Sequence, residues 1–169
     1  MSLSLAALLL MQVDLDPVLR FRAPATCDMS ESLQAVVGAM VHFDPASGEV
    51  RSPPPVAVPG LAQPLVPRFE RNPVHGAADT VQVTVTLPLR GRWHGLRVTG
   101  LIRTFLDEAD EDLLEIEFAD PAARVRAVLN RAGFRLPAVG RWRTIDAGEG
   151  LYMALHRHGS GATLICSLG

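Results

Sequence analysis

The chain has 169 residues, 48% of them apolar and 20% charged, and its formal net charge at pH 7 is −2. This length is enough for a single domain with a buried core, and the small net charge gives the chain as a whole no electrostatic footprint for nucleic acid. Every one of its sixteen basic residues is an arginine, which excludes Schiff-base chemistry and a phosphate-loop lysine. We therefore expect one globular domain that binds no nucleic acid, and we predict no cofactor.

The only strongly apolar run is the stretch from Leu3 to Met11. It is too short to span a bilayer, so we predict no membrane partner. Neither an arginine nor a lysine precedes it and no A-x-A site follows it, so it lacks the flanks of a secretory signal. We predict a packed helix or strand here, and the compartment, cytoplasmic or exported, stays open.

The first half of the chain divides into a helix-bearing region and a proline-rich connection. Residues 17–22 read as a short strand, and apolar residues at helical spacing predict a helix near 30–41 with Asp28 or Ser30 as its N-cap. Eight prolines follow between residues 45 and 73, and proline removes the donors that helices and central strands need. We therefore divide the domain into residues 1–44, a surface connection at 45–79 with a short edge strand at 65–69, and a β-rich core at 80–169.

The β-rich core opens with strong alternation from Val81 to Leu87, typical of a strand with one buried face. The next strand contains Gly100, which indicates a bulge or a close approach of another backbone. We predict that this strand pairs Arg103 with Glu117 and Ile102 with Phe118, because that register places like residues on each face.

A strand-to-helix unit from Leu113 to Pro137 is the clearest local pattern. Alternation of apolar residues with Glu115 and Glu117 predicts the strand. Asp120 is the predicted N-cap and Pro121 the first helical residue, because that position needs no N–H donor. The helix should end near residue 132, since Gly133 can adopt the left-handed conformation that terminates helices.

The last two strands form the best-specified hairpin, and a further strand near 142–145 should precede them. Gly159 and Ser160 suit a type II′ turn, which sets Leu155 opposite Leu164 and Met153 opposite Cys166. The predicted fold class is therefore α+β: a largely antiparallel sheet of five to seven strands with two helices, near 30–41 and 121–132, packed on one face.

Cys27 and Cys166 are the only cysteines. They lack the spacing of a metal site, and two buried free thiols are the interpretation that we favour. The alternative is a single disulfide that ties the N-terminal region to the last strand, which would imply an exported protein.

The motif L-P-x-x-G-R-W occurs at residues 87–93 and again at 136–142, and the two copies contain both tryptophans of the chain. If the copies come together, Arg92, Trp93, Arg141 and Trp142 would form an aromatic, cationic pocket for an anionic or sugar-like ligand. Tyr152, on the polar face of the last hairpin, is a further candidate for ligand binding. The simpler interpretation is two buried indoles flanked by exposed guanidinium groups.

His156 and His158 alternate on one strand face, so both imidazoles could hold one metal ion if His94 or an acid supplied a third ligand. The acidic residues 107–112 lack the glycine and the glutamate spacing of an EF-hand and read as a solvated hairpin tip.

With no coherent set of acid, base and nucleophile, we predict a non-enzymatic ligand- or protein-binding module. It would use the arginine- and tryptophan-bearing surface or the polar sheet face, and its partner would be an anionic small molecule or an acidic protein. The alternative is a small metal-dependent hydrolase centred on His156 and His158, so whether the chain is an enzyme stays open.

Overall fold

A computed structural model describes residues 13–74, 80–107 and 112–168. The described chain is mostly antiparallel sheet with two α-helices, so the α+β class is confirmed. The apolar run from Leu3 to Met11 and most of the acidic tip lie outside the described residues. The helices are α1 (Glu31–Ala39) and α2 (Ala122–Arg131), and the strands are β1 (Phe21–Ala23), β2 (Asp28–Met29), β3 (His42–Phe43), β4 (Val50–Arg51), β5 (Arg68–Pro73), β6 (Val81–Leu87), β7 (Gly91–Trp93), β8 (Leu96–Asp107), β9 (Asp112–Phe118), β10 (Trp142–Asp146), β11 (Leu151–His158) and β12 (Gly161–Ser167).

Within the described residues, eight strands form one sheet in the order β10-β11-β12-β9-β8-β6-β5, with β7 paired to β8. The sheet is thus larger than the five to seven strands that we predicted. The predicted edge strand is β5, which pairs with β6 at 68–73 rather than at 65–69. Its prolines, Pro67 and Pro73, lie just before the strand and at its last residue, where the loss of an N–H donor does least damage. The strand that we did not predict is β7, which forms a short hairpin with β8.

The predicted register of β8 against β9 is wrong. Leu101 lies opposite Ile116 and Arg103 opposite Leu114, three residues from the predicted register, and a bulge interrupts the pairing between Val98 and Gly100. A shift by an odd number of residues moves every side chain to the other face of the sheet. Leu101, which is fully buried, therefore takes the core position that we had given to Ile102.

The last hairpin is confirmed in every predicted pair. Leu155 lies opposite Leu164 and Met153 opposite Cys166, across a turn in which Gly159 has φ 56°. All seven residues of β12 are buried, and this strand pairs with β11 on one side and β9 on the other.

Helix α2 buries one face and ends as predicted. Val125 and Leu129 are fully buried. Gly133 has φ 100°, and the Phe134 N–H donates to the Leu129 carbonyl oxygen at 3.1 Å, which satisfies a carbonyl that the helix itself leaves free.

The predicted capping role of Asp120 is not observed. The N-cap residue is Pro121, and no side chain caps the helix. The buried carboxylate of Asp120 instead accepts the Arg97 N–H at 2.6 Å and lies 3.2 Å from the Arg124 guanidinium. A buried carboxylate needs strong donors, and these two join the start of α2 to β8.

The buried side chains of α1 and α2 belong to the same hydrophobic core as the apolar residues of the central strands. Helix α1 begins after Ser30, whose hydroxyl accepts the Leu33 N–H at 3.4 Å. Arg103 donates to both carboxylate oxygens of Asp112, at 3.0 and 2.5 Å, and to the Val37 carbonyl oxygen at 2.9 Å. This arginine thereby links the sheet to α1.

No helix in the described ranges is long and apolar enough to cross a membrane.

The preference for two free thiols is wrong, because Cys27 and Cys166 form a disulfide across 139 residues. Both cysteines are buried. The bond joins β12 to the segment that follows β1, and Arg143 of β10 also donates to the Ala25 carbonyl oxygen of that segment. The N-terminal segment is therefore held to the sheet by a covalent bond and by a charged donor.

We expect the double variant Cys27→Ser/Cys166→Ser to unfold at a lower urea concentration than the oxidised wild-type protein. The chain-entropy model assigns about 5 kcal/mol to a loop of this length, and measured losses are about 2–5 kcal/mol. Equal unfolding midpoints under non-reducing conditions would contradict a structural role for the bond.

We expect Gly161→Ala to destabilise the fold by about 2 kcal/mol or more, because an added Cβ would lie 2.0 Å from the Phe118 carbonyl oxygen. Gly38→Ala is the matched control. A Cβ at this helical position meets nothing within 4 Å, so the substitution should stabilise by about 0.5–1 kcal/mol. Thermal unfolding of both variants tests whether Gly161→Ala lowers the stability and Gly38→Ala raises it.

Candidate functional site

Alternation along the paired strands gives the sheet two faces. We call the one that carries Leu114, Leu155 and Leu164 the inner face, since these side chains lie in the hydrophobic core. The opposite, outer face carries the side chains that alternate with them. By register, the outer face presents one row of Trp142, Ala154, Ile165 and Glu115, and a second row of His156, Thr163 and Glu117.

Three of the predicted site residues meet on the outer face. The Trp142 ring centroid lies 4.8 Å from that of Tyr152 and 4.7 Å from that of His156, with interplanar angles of 84° and 67°. Trp142 stands directly opposite Ala154, whose methyl group leaves space for the indole between the two neighbouring rings. The indole remains 51% exposed, so an aromatic surface faces solvent at this edge of the sheet.

The two tryptophan motifs do not come together. Trp93 is almost fully buried and packs against Phe21, Phe118 and Phe134 in the core. Trp142 lies on the outer face, so the two indoles do not share a pocket.

The arginines of the two motifs are likewise apart. Arg92 donates to the Gly95 carbonyl oxygen within its own hairpin, at 3.1 Å, and the exposed Arg141 sits beside Trp142. The repeated motif thus marks two strand entries whose tryptophans point to different environments.

His156 and His158 share the outer face but have different partners. His158 Nδ1 lies 3.2 Å from Glu117 Oε1, whereas His156 packs on Trp142 and its buried Nε2 has no hydrogen-bond partner in the described chain. His94, a predicted third ligand, packs against Trp93 instead. In the part of the chain that the structure describes, no three His, Cys, Asp or Glu side chains are placed to hold one metal ion.

Two glutamates of β9 complete the outer-face surface. Burial raises the pKa of the half-buried Glu115, the nearby Glu117 raises it further, and a hydrogen bond from Thr104 opposes the change.

Three strand spacings, about 14 Å, separate the row positions of Trp142 and Glu115. Ala154, Thr163 and Ile165 lie between them, and all three are buried. The sequence showed the alternation of these glutamates with apolar residues, but it did not show which side chains they would face.

We define the outer-face site by five side chains: Trp142, Tyr152 and His156 at one end, and Glu115 and Glu117 at the other. The chain matches no protein-family model, no curated protein and no solved structure. What this site can do therefore follows from its own geometry.

We expect Glu115→Gln to be more stable than wild type at neutral pH. The folded protein holds the Glu115 proton more tightly than the unfolded chain does, so ionisation of this group destabilises the fold as pH rises past the unfolded pKa of about 4.3. The stability gained by the substitution should therefore disappear as pH falls below that value. Urea unfolding from pH 3 to pH 8 measures the difference, with the exposed Glu149→Gln as control. A gain that is constant across this range would contradict the raised pKa.

Proposed function

We propose that the chain is a non-enzymatic binding module whose outer-face site holds a neutral, polyhydroxylated ligand of the oligosaccharide class. The half-exposed indole of Trp142, supported by Tyr152 and His156, is the observation that carries this proposal. Large aromatic side chains contribute much contact area with few rotatable bonds, and proteins use them at binding surfaces for this reason.

The aromatic end of the site is preorganised. Tyr152 and His156 both contact Trp142 at steep angles, so they restrict the indole to one orientation before any ligand arrives. Restricting a side chain in its bound conformation lowers the entropy lost on binding. The exposed indole can then pack against the apolar C–H groups of a sugar ring.

The other end of the site offers hydrogen-bond acceptors. Glu115 and Glu117 can accept from hydroxyl groups, and His158 is already oriented by Glu117. The distance of about 14 Å between the two ends exceeds one sugar ring, so a linear ligand of several rings fits better than a monosaccharide.

Charge favours a neutral ligand here over the anionic ligand or acidic protein suggested by the arginine-rich sequence. Two glutamates share this face, and desolvation already disfavours the ionised form of Glu115. An anion beside them would add like-charge repulsion. The proposal also takes both helices to lie on the inner side, which the shared core supports, so that the outer side is left to the ligand.

No observation comparable to the exposed indole supports the alternative of a metal-dependent hydrolase. Glu117 engages Nδ1 of His158, and the described residues bring no third ligand to the two histidines. The buried disulfide supports a protein that folds in an oxidising compartment, outside the reducing cytosol.

We expect neutral oligosaccharides of glucose, galactose or N-acetylglucosamine to change the tryptophan emission of the protein in a saturable way. Trp142 is half-exposed and Trp93 is buried, so the change should report Trp142. Trp142→Ala should abolish ligand binding measured by calorimetry. Phe43→Ala removes another exposed aromatic ring, which belongs to a separate two-stranded sheet, and should leave binding unchanged.

The proposal is wrong if no member of such a panel binds. It is equally wrong if a sugar binds with the same affinity to the wild type and to Trp142→Ala.

A further inference from the structure

A second candidate site lies away from the outer face, in a groove between the N-terminal segment and the end of α2. The groove has a volume of about 480 Å³, within the range of small-molecule sites. Residues 16–24 form one wall, Trp93 and His94 contribute from the β7–β8 hairpin, and Ala132 and Phe134 close the opposite side.

The floor of this groove is aromatic and rigid. The Phe21 ring lies 5.1 Å from that of Phe134 and 5.9 Å from that of Trp93, and the Trp93 and Phe134 rings are 5.6 Å apart. All three side chains are nearly buried, so a flat apolar group laid on them would cover the little apolar surface that they still expose. The adjoining disulfide at Cys27 fixes the wall that contains Pro24.

The rim of the groove carries one acidic and one basic side chain, Asp16 and Arg20. Asp16 Oδ1 accepts the backbone N–H of His94 at 2.6 Å. The exposed Arg20, in contrast, has no charged or hydrogen-bonded side-chain partner among the residues that the structure describes. A second depression shares Pro17, Arg20 and Phe21 with the groove and is also lined by Arg22, Ser30, Glu31 and Ser32. The Arg20 guanidinium therefore stands where an apolar groove meets a more polar one.

We propose that this groove binds a small amphiphilic anion, with a flat apolar body over Phe21 and Phe134 and a single carboxylate or sulfonate at Arg20. A guanidinium group suits such an anion because it presents several N–H donors in a plane. The groove thereby provides a place for the anionic ligand that the sequence favoured. This site shares no residue with the outer-face site and does not depend on the function proposed for it.

Calorimetric titration with 2-naphthoate and with its uncharged analogue 2-naphthamide tests the proposal on the whole chain. We expect saturable binding of one naphthoate per chain and binding of the amide that is about three- to tenfold weaker. Arg20→Gln should remove this difference, while Arg90→Gln, which changes an exposed arginine that does not line the groove, should preserve it.

Ala132→Leu places a larger side chain in the groove wall and should weaken both ligands, whereas Trp142→Ala should weaken neither. Circular dichroism establishes that each variant is folded, and Arg20→Gln alone decides the role of charge if Ala132→Leu fails to fold. Absence of saturable naphthoate binding would overturn the proposal. So would equal affinity for acid and amide, or a preference for the acid that survives Arg20→Gln.

Discussion

The structure depends on one strand, β12, that is buried along its whole length. It pairs with β11 and β9, so its backbone groups are satisfied on both sides, and its Cys166 carries the disulfide to Cys27. All seven of its residues are buried, and a Cβ added at Gly161 would lie 2.0 Å from the Phe118 carbonyl oxygen. Sheet pairing and the attachment of the N-terminal segment therefore meet in the same seven residues.

Both candidate sites depend on β12. On the outer face, the buried Thr163 and Ile165 of β12 lie between the aromatic cluster and the two glutamates. On the inner side, the disulfide from Cys166 holds the segment whose residues line the groove. The two sites differ in the charge that they present: carboxylates on the outer face, and at the groove the Arg20 guanidinium, for which the described residues supply no charged partner. This difference is why we assign a neutral ligand to one and an anion to the other.

Local patterns in the sequence were sufficient wherever the decisive atoms are close in the chain. Gly159 fixes the last hairpin because the turn it permits determines every pair that follows. Gly133 ends α2 through a hydrogen bond only five residues long. The meeting of Trp142 with Tyr152 and His156 was accessible in part, since the hairpin register placed the last two on one face.

Features decided by distant contacts were not accessible from the sequence. The glycine at position 100 indicated a bulge, but only packing against β9 shows that Leu101, and not Ile102, enters the core. Cys166 was the one possible partner of Cys27 within the chain, but spacing does not show whether two cysteines 139 residues apart come close enough to form a disulfide. The L-P-x-x-G-R-W repeat describes how a chain enters a strand, and it does not determine whether the following tryptophan faces core or solvent.

The most direct test of this account is a tryptic map of the non-reduced protein by mass spectrometry. Cleavage after arginine releases Cys27 in peptide 23–51 and Cys166 in peptide 158–169. We predict that these two peptides are recovered as one covalent species from the monomer and separate only after reduction. Recovery of both as free thiols, or as linkages between chains, would contradict the architecture described here.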